Sequence, residues 1–298
     1  MDVALKIDVD THQGLGEGMP RLQRMLLDFG VAASVYVAMG PDNSGRAIMR
    51  IFRNPGFLTK MRRTRALSMY GLRTALSGTL LRARPIALAY PQIIRDLIRD
   101  GFEVGIHGYD HVRWQDRLDR LGDAEISAEI DQACEVYRAI TGVESTSFAA
   151  PGWRTSDAAS LALEVKRLTY RSDTRGHSPY RCRIGDRILA TPEIPTTLPT
   201  LDEVMGTDEL TAAGSVARFY LDRMRDDVLN VHTIHAETEG MGQLDAFSSL
   251  VRGLKERGAR FVRLGDVAAG LNLDELPVAP IVRSTLPGRA GWISAQAV

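Results

Sequence analysis

The side chains able to do chemistry in this 298-residue chain come in short, polar runs. Asp8 and Asp10 end the first apolar run, Val3-Ala-Leu-Lys-Ile-Asp-Val-Asp10, and a period of two puts both on one strand face. Carboxylates that close repel each other unless a cation or a proton lies between them. Read alone, the pair equally fits two solvated loop acids. His107-Gly-Tyr-Asp-His111 offers two imidazoles at i and i+4, on one turn if the segment is helical. Imidazole suits Zn, Ni, Co or Fe, with surface histidines as the plain alternative. Asp plus two His makes three protein ligands with positions left for water, the arrangement of a catalytic metal rather than a structural one. His232 and His235 are three apart, so a strand points them to opposite faces; at most one faces the centre, and the other is a packed core group. Phe148-Ala-Ala-Pro-Gly-Trp-Arg154 offers a cation, Arg154, to pair with Asp8, or simply a Trp153–Arg154 cap. Arg171-Ser-Asp-Thr-Arg-Gly176 offers Asp173 and Arg175 to a hydroxylated ligand, or is a turn.

These runs sit where strands end. Val3–Val9 alternates as a strand, and Val31–Val37 follows as a second. Phe102–Ile106, 147–150, 170–172, 188–190, 228–234 and 260–262 read as further strands. Helices are expected near 17–28, 90–100, 123–140, 156–167, 212–227 and 244–257, several stopped by glycine. Seven or eight strands alternating with helices predict an α/β fold, a parallel sheet closed as a barrel whose strand C-termini build the site. An open doubly wound sheet is the alternative, but no Gly-x-Gly-x-x-Gly follows the first strand. The domain is expected over residues 1–270, followed by a C-terminal tail, 271–298, with Pro277, Pro280 and Pro287.

Apolar residues make up 44% and charged residues 25%, a globular composition that excludes disorder and collagen-like fibres. Lys plus Arg equals Asp plus Glu at 37 each, which argues against nucleic acid as a partner. The zero sum hides an asymmetry. No acid occurs between Asp42 and Asp96, where eleven Lys and Arg residues fall, so the window is +11 and the remainder −11. Met69, Leu72, Leu76 and Leu80 recur there at helical spacing among Arg62, Arg63, Arg65, Tyr70 and Arg73. This is the make-up of a basic amphipathic insertion, about 43–90, that touches a membrane surface; a solvated helical excursion or an oligomer contact is the alternative. No signal peptide and no long apolar run is present, so a cytoplasmic protein, peripherally bound to the inner membrane, is expected. Cys134 and Cys182 read as buried thiols.

Taken together, Ile7-Asp-Val-Asp-Thr11, His107-Gly-Tyr-Asp-His111, Pro151-Gly-Trp-Arg154 and Ile234-His235 resemble the polysaccharide deacetylase (NodB-homology) superfamily. Asn54-Pro-Gly-Phe-Leu58, Tyr70-Gly-Leu-Arg-Thr-Ala-Leu76, Ser172-Asp-Thr-Arg-Gly176, Leu198-Pro-Thr-Leu-Asp-Glu203 and Thr233-Ile-His-Ala-Glu-Thr-Glu-Gly240 are most similar to its deformylase branch, which acts on undecaprenyl-phosphate-linked 4-deoxy-4-formamido-L-arabinose. The resemblance implies a distorted (β/α) barrel and a divalent metal held by Asp10, His107 and His111. It implies Asp8 as general base and His235 as general acid. Trp153, Arg154, Asp173, Arg175 and Glu239 become candidates to touch the substrate, and Arg62, Arg63, Arg65, Tyr70 and Arg73 to touch lipid. Zn is the default for such a donor set, with Ni, Co or Mn also suited. The implied partners are a lipid-linked aminosugar and the cytoplasmic face of the inner membrane, in lipid A modification and resistance to cationic antimicrobial peptides. Two departures stand out: Val9 separates the aspartates, and at 151–154 the common Arg-x-x-Pro element is absent, with Arg154 following Pro151 instead. The rival readings are an N-acetyl polysaccharide deacetylase and a non-catalytic sugar- or lipid-phosphate-binding barrel.

Overall fold

Strand β1 (Asp2–Val9) lies next to the β8 end of a ten-stranded sheet, flanked by β8 on one side and by β2 and β9 on the other, and explains how the sequence pattern becomes a barrel. Val3, Leu5, Ile7 and Val9 are fully buried against a helical layer that includes Leu22, Leu26, Leu250 and Leu254. Ala4, Lys6 and Asp8 point the other way, into the interior shared with Tyr36, Tyr170 and Val231. Both faces are therefore covered, as parallel sheets require. The structure, a computed structural model, describes residues 1–48, 77–79, 81–289 and 291–298. Arg62, Arg63, Arg65, Tyr70 and Arg73, expected to meet lipid, lie outside the described residues.

Helix α1 (Met19–Asp28) leads to β2 (Ser34–Val37), then α2 (Ser44–Ile48). The chain resumes through α3 (Pro91–Arg99), β3 (Glu103–Ile106), α4 (His111–Arg117), α5 (Asp123–Thr141) and β4 (Ser147–Phe148). Next come α6 (Asp157–Glu164), β5 (Tyr170–Arg171), β6 (Tyr180–Ile184) and β7 (Arg187–Glu193). Short helices α7 (Leu201–Val204), α8 (Asp208–Ala213) and α9 (Val216–Leu221) precede β8 (Leu229–His235) and α10 (Leu244–Glu256). β9 (Arg260–Val262), α11 (Leu264–Ala269), β10 (Val278–Ala279), β11 (Ile281–Ser284) and β12 (Ile293–Gln296) complete the order.

The sheet runs β10-β6-β7-β5-β4-β3-β2-β1-β8, with β9 also on β1. All of these pairs are parallel except β6–β7. Closure comes from irregular chain rather than from another strand. Thr196 bridges Arg175 on one side, while the N–H groups of Thr197 and Leu198 both donate to Val231 O, at 3.1 and 3.3 Å. The result is the distorted α/β barrel expected, with no helix among the described residues long and apolar enough to cross a membrane.

Three local expectations change. The strand expected over 188–190 is one arm of a β6–β7 hairpin turning at Gly185-Asp186. The helix expected over 212–227 breaks at Gly214 (φ 75°), a left-handed C-cap that ends α8. The residues after 270 form more than a draped tail. β10 extends the sheet, and β11 and β12 pair as an antiparallel hairpin that buries Ile293 and Ser294.

Candidate metal and active site

The register of β1 fixes the centre. Asp8 is the Cα partner of Tyr36 on one side and of His235 on the other. Asp10 follows one residue beyond the strand end. His107 follows β3, which pairs with β2, so β1 and β3, with only β2 between them, deliver Asp8, Asp10 and His107 to one rim. His111 arrives differently from the helical spacing considered above. Residues 107–110 are a loop, Gly108 turns it at φ 73°, and His111 is the first residue of α4. A side chain at Gly108 would be strained there and would crowd Pro151.

Asp10 Oδ1 lies 3.2 Å from His107 Nε2, and Asp10 Oδ2 lies 3.4 Å from His111 Nε2. The donor atoms of the three residues fall within 4.8 Å of one another. Asp8 Oδ2 is 3.8 Å from His107 Nε2. The donor set suits a divalent cation. His107 Nδ1 bonds Ala149 O at 2.8 Å, which leaves Nε2 facing Asp10, and Asp10 Oδ1 is buried without a hydrogen-bond partner. Side-chain exposure is 22% for Asp10 and 13% for His111 but 1% for His107, so the cluster opens on the Asp10–His111 side. Burial works against charge on Asp10, yet the imidazoles of His111 and His107 outweigh it and hold its carboxyl below the usual range. Burial likewise opposes charge on His107, and the carboxylates of Asp8 and Asp10 raise its pKa in spite of it.

His235, at the end of β8, packs its ring edge-on to Trp153 with centroids 6.3 Å apart. Burial opposes its charging, but Asp10, Asp202, Asp8 and Glu239 push its pKa up to about 9. His232 is the packed histidine of the pair: its ring lies 4.1 Å from that of Tyr220, and burial followed by Arg175 pulls its pKa down to about 3. Glu239 is buried and accepts the His235 N–H at 2.9 Å; burial pushes its carboxyl up to about 7.

Arg154 does not sit against Asp8. Its guanidinium donates to Trp292 O at 3.2 Å and lies 4.8 Å above the Trp292 ring, turned to the C-terminal hairpin. Lys6, which the sequence reading passed over, is the cation beside Asp8. It is fully buried, 3.7 Å from Asp8 Oδ2, and donates to Ser172 O at 3.0 Å. Trp153 is held at φ 51°, uncommon for a bulky residue, and three cations surround its indole. Lys6 lies 5.4 Å, Arg175 5.0 Å and Arg289 4.6 Å from the ring centroid. Arg175 and Arg289 share Glu203, at 3.1 and 3.5 Å. Asp173 lies deeper, fully buried 3.8 Å from Arg171; burial and the neighbouring Glu193 push its carboxyl above the usual range. Glu237 was also missed. Its Oε1 accepts from Asp10 N, Thr11 N and Thr11 Oγ1 at 2.8–2.9 Å, fixing the loop that carries Asp10. A Cβ at Gly14 would collide with that oxygen at 1.9 Å, so the close approach requires glycine.

A sequence model of the polysaccharide deacetylase family matches residues 64–171, a span that includes His107 and His111. A Shewanella sediminis protein named probable 4-deoxy-4-formamido-L-arabinose-phosphoundecaprenol deformylase ArnD is 36% identical over 99% of this chain and 94% of its own. A protein of the same name from Wigglesworthia glossinidia brevipalpis is 31% identical over 94% and 96%. Among solved structures named as polysaccharide deacetylases, one from Mycobacterium smegmatis superposes with a TM-score of 0.65 at 19% identity, covering 96% of this chain and 94% of that one. One from Pseudomonas aeruginosa PAO1 gives 0.62 at 14%, covering 90% of each. At such identities these structures speak for the fold. The near-full-length relatives go further: this chain belongs to the ArnD deformylase family, an amide-hydrolysing branch of the polysaccharide deacetylases.

Proposed function

We propose that this chain hydrolyses the N-formyl group of an undecaprenyl-phosphate-linked 4-deoxy-4-formamido-L-arabinose, releasing formate and a free sugar amine. One observation carries the reading: Asp10, His107 and His111 converge within 4.8 Å, beside an Asp8 whose cross-strand partner is His235. A divalent cation, which Asp10, His107 and His111 would hold, would supply Lewis acidity and acidify water there. Zn is the first choice, with Ni, Co or Mn as alternatives.

Asp8 faces the cluster and accepts the proton given up by the attacking water. Lys6 opposes the Asp8 charge from behind. The leaving group is an amine, which must gain a proton as the C–N bond breaks. The carboxylates of Asp202, Asp8 and Glu239, beside that of Asp10, favour the protonated form of His235, which a general acid requires. Trp153 and Glu239 flank His235, and Arg175 packs on the Trp153 ring; together they build the wall the sugar would meet, while Arg154 acts at the rim through Trp292. Asp173, fully buried, serves the interior charge network.

The +11 window supports binding to an anionic membrane surface, as a polyprenyl-linked substrate demands. Each Arg near such a surface contributes about 1 kcal/mol, and the effect is screened by salt. Formate release from the lipid-linked formamido sugar, abolished by chelator and restored by Zn²⁺, is the expected result. Acetate release from N-acetyl polymers instead would move the chain to the deacetylase reading, and release of neither to the binding-barrel reading. Pelleting with anionic vesicles at low salt, absent at high salt, checks the membrane part.

A further inference from the structure

The chain leaving β2 grips both loops that carry the candidate metal ligands. Asp42 is fully buried, and its Oδ2 accepts the His12 N–H at 3.1 Å, two residues after Asp10. Its Oδ1 accepts from Ser44 N and Ser44 Oγ, which fixes the carboxylate. The next residue, Asn43, donates from Nδ2 to Asp110 Oδ2 at 2.7 Å. Asp110 lies between His107 and His111, and its other oxygen caps α4 by accepting the Arg113 N–H at 2.9 Å. Asn43 thus braces the cap of the helix whose first residue is His111. Backbone bonds continue the contact, with Met39 N donating to Gly108 O and Gly40 N to Tyr109 O.

Asp42 also ties off the base of the basic insertion. Asp42 N donates to Arg84 O at 2.8 Å and Ser77 Oγ donates to Asp42 O at 2.7 Å, so chain from either side of residues 49–76 meets at Asp42. Neither Asp42 nor Asn43 belongs to the ligand cluster.

We propose that Asp42 and Asn43 are positioning residues for the metal: a clamp that presents Asp10 to His107 and His111 by fastening both loops to the root of the insertion. This rests on the metal reading above. Ligands on separate loops bind tightly only when the loops are already placed, and outer partners of this kind typically change metal affinity 10–100-fold.

The test is a chelator-competition titration of the full chain with Zn²⁺, alongside its circular dichroism and thermal unfolding without metal. Asn43→Ala and Asp42→Ala should each weaken Zn²⁺ about 10–100-fold. Saturating Zn²⁺ should return formate release to within a few-fold of the parent, because the ligands themselves are intact. Asp42→Asn keeps one acceptor oxygen but turns its amide N–H2 toward either the His12 or the Ser44 N–H, so it should fall between the parent and Asp42→Ala. Arg46→Ala is the control: Arg46 bonds Gly78 O at the same root without touching either ligand loop, and its affinity should not move. If Asp42→Ala does not fold, Asn43→Ala and Asn43→Ser decide, since each deletes one amide contact. Folded variants that bind Zn²⁺ as tightly as the parent overturn the clamp. Activity that stays lost at saturating Zn²⁺ overturns it too. A parent chain that binds no divalent cation sinks the metal reading instead.

Discussion

The two sides of the barrel mouth are built from opposite materials. The side after β1 and β3 collects acids and imidazoles, partly open to solvent, around Asp10. The other side is nearly closed around the Trp153 indole that follows β4: Lys6 of β1, Arg175 after β5 and Arg289 between β11 and β12 surround it, with His235 at the end of β8 against its edge. Open electron-pair donors suit a cation that must enter; fixed cations around a rigid ring suit a wall that must not move. Metal affinity and turnover should therefore separate cleanly when each side is disturbed.

His107→Ala is the harshest test. It should abolish Zn²⁺ binding and activity together, and unchanged affinity in a metal titration would break the contrast outright. His235→Ala should keep the metal while kcat falls about 10²–10⁴-fold, the usual loss for a general acid. Lys6→Met stands between the sides. It strips a buried carboxylate of its partner, which typically destabilises by about 3–5 kcal/mol. Chemical denaturation should show that loss, and kcat should fall with KM little changed, whereas Lys6→Arg should recover part of both. Arg289→Ala removes one of three cations from Trp153 and a contact to Glu203. About 1–2 kcal/mol is expected from the buried cation–ring contact, with metal affinity intact; a drop in Zn²⁺ affinity would blur the two sides.

His232→Phe is the gentlest. With a folded pKa near 3 against about 6.5 unfolded, this group binds its proton in the unfolded state first. Its contribution is complete above the unfolded value and is lost as pH falls toward the folded one, at about 1.4 kcal/mol per pH unit. Neither ring nitrogen has a hydrogen-bond partner, so Phe should unfold less readily than the parent at pH 5 and leave kcat alone. Equal acid sensitivity in denaturation curves would refute the assignment.

The opening strand was legible because its apolar face and its acid face differ in kind, and the His107–His111 loop because its donors are rare residues at short spacing. Lys6 was not legible. In an alternating strand a lysine reads as solvent-facing, and only closure of the barrel turns that face inward. The β6–β7 hairpin was masked by Arg181, Arg183 and Arg187, which break the apolar pattern on an outer strand. The prolines after 270 suggested loose chain, yet Pro280 directly follows β10, whose pairing partner β6 lies far back along the sequence. Arg289 could not be linked to Trp153 by any local signal, because 136 residues separate them. Glu237 lay inside a recognised motif but had no visible task until its three N–H and O–H donors appeared.

The pairing of Asp8 with His235 joins the first strand to one made late in synthesis. On the proposed roles, a nascent chain carries the proton acceptor almost from the start and gains its donor only some 230 residues later. A chain truncated before β8 should then hold Asp8 with neither His235 nor the strand that flanks it, and should fall well below the full chain in amide hydrolysis.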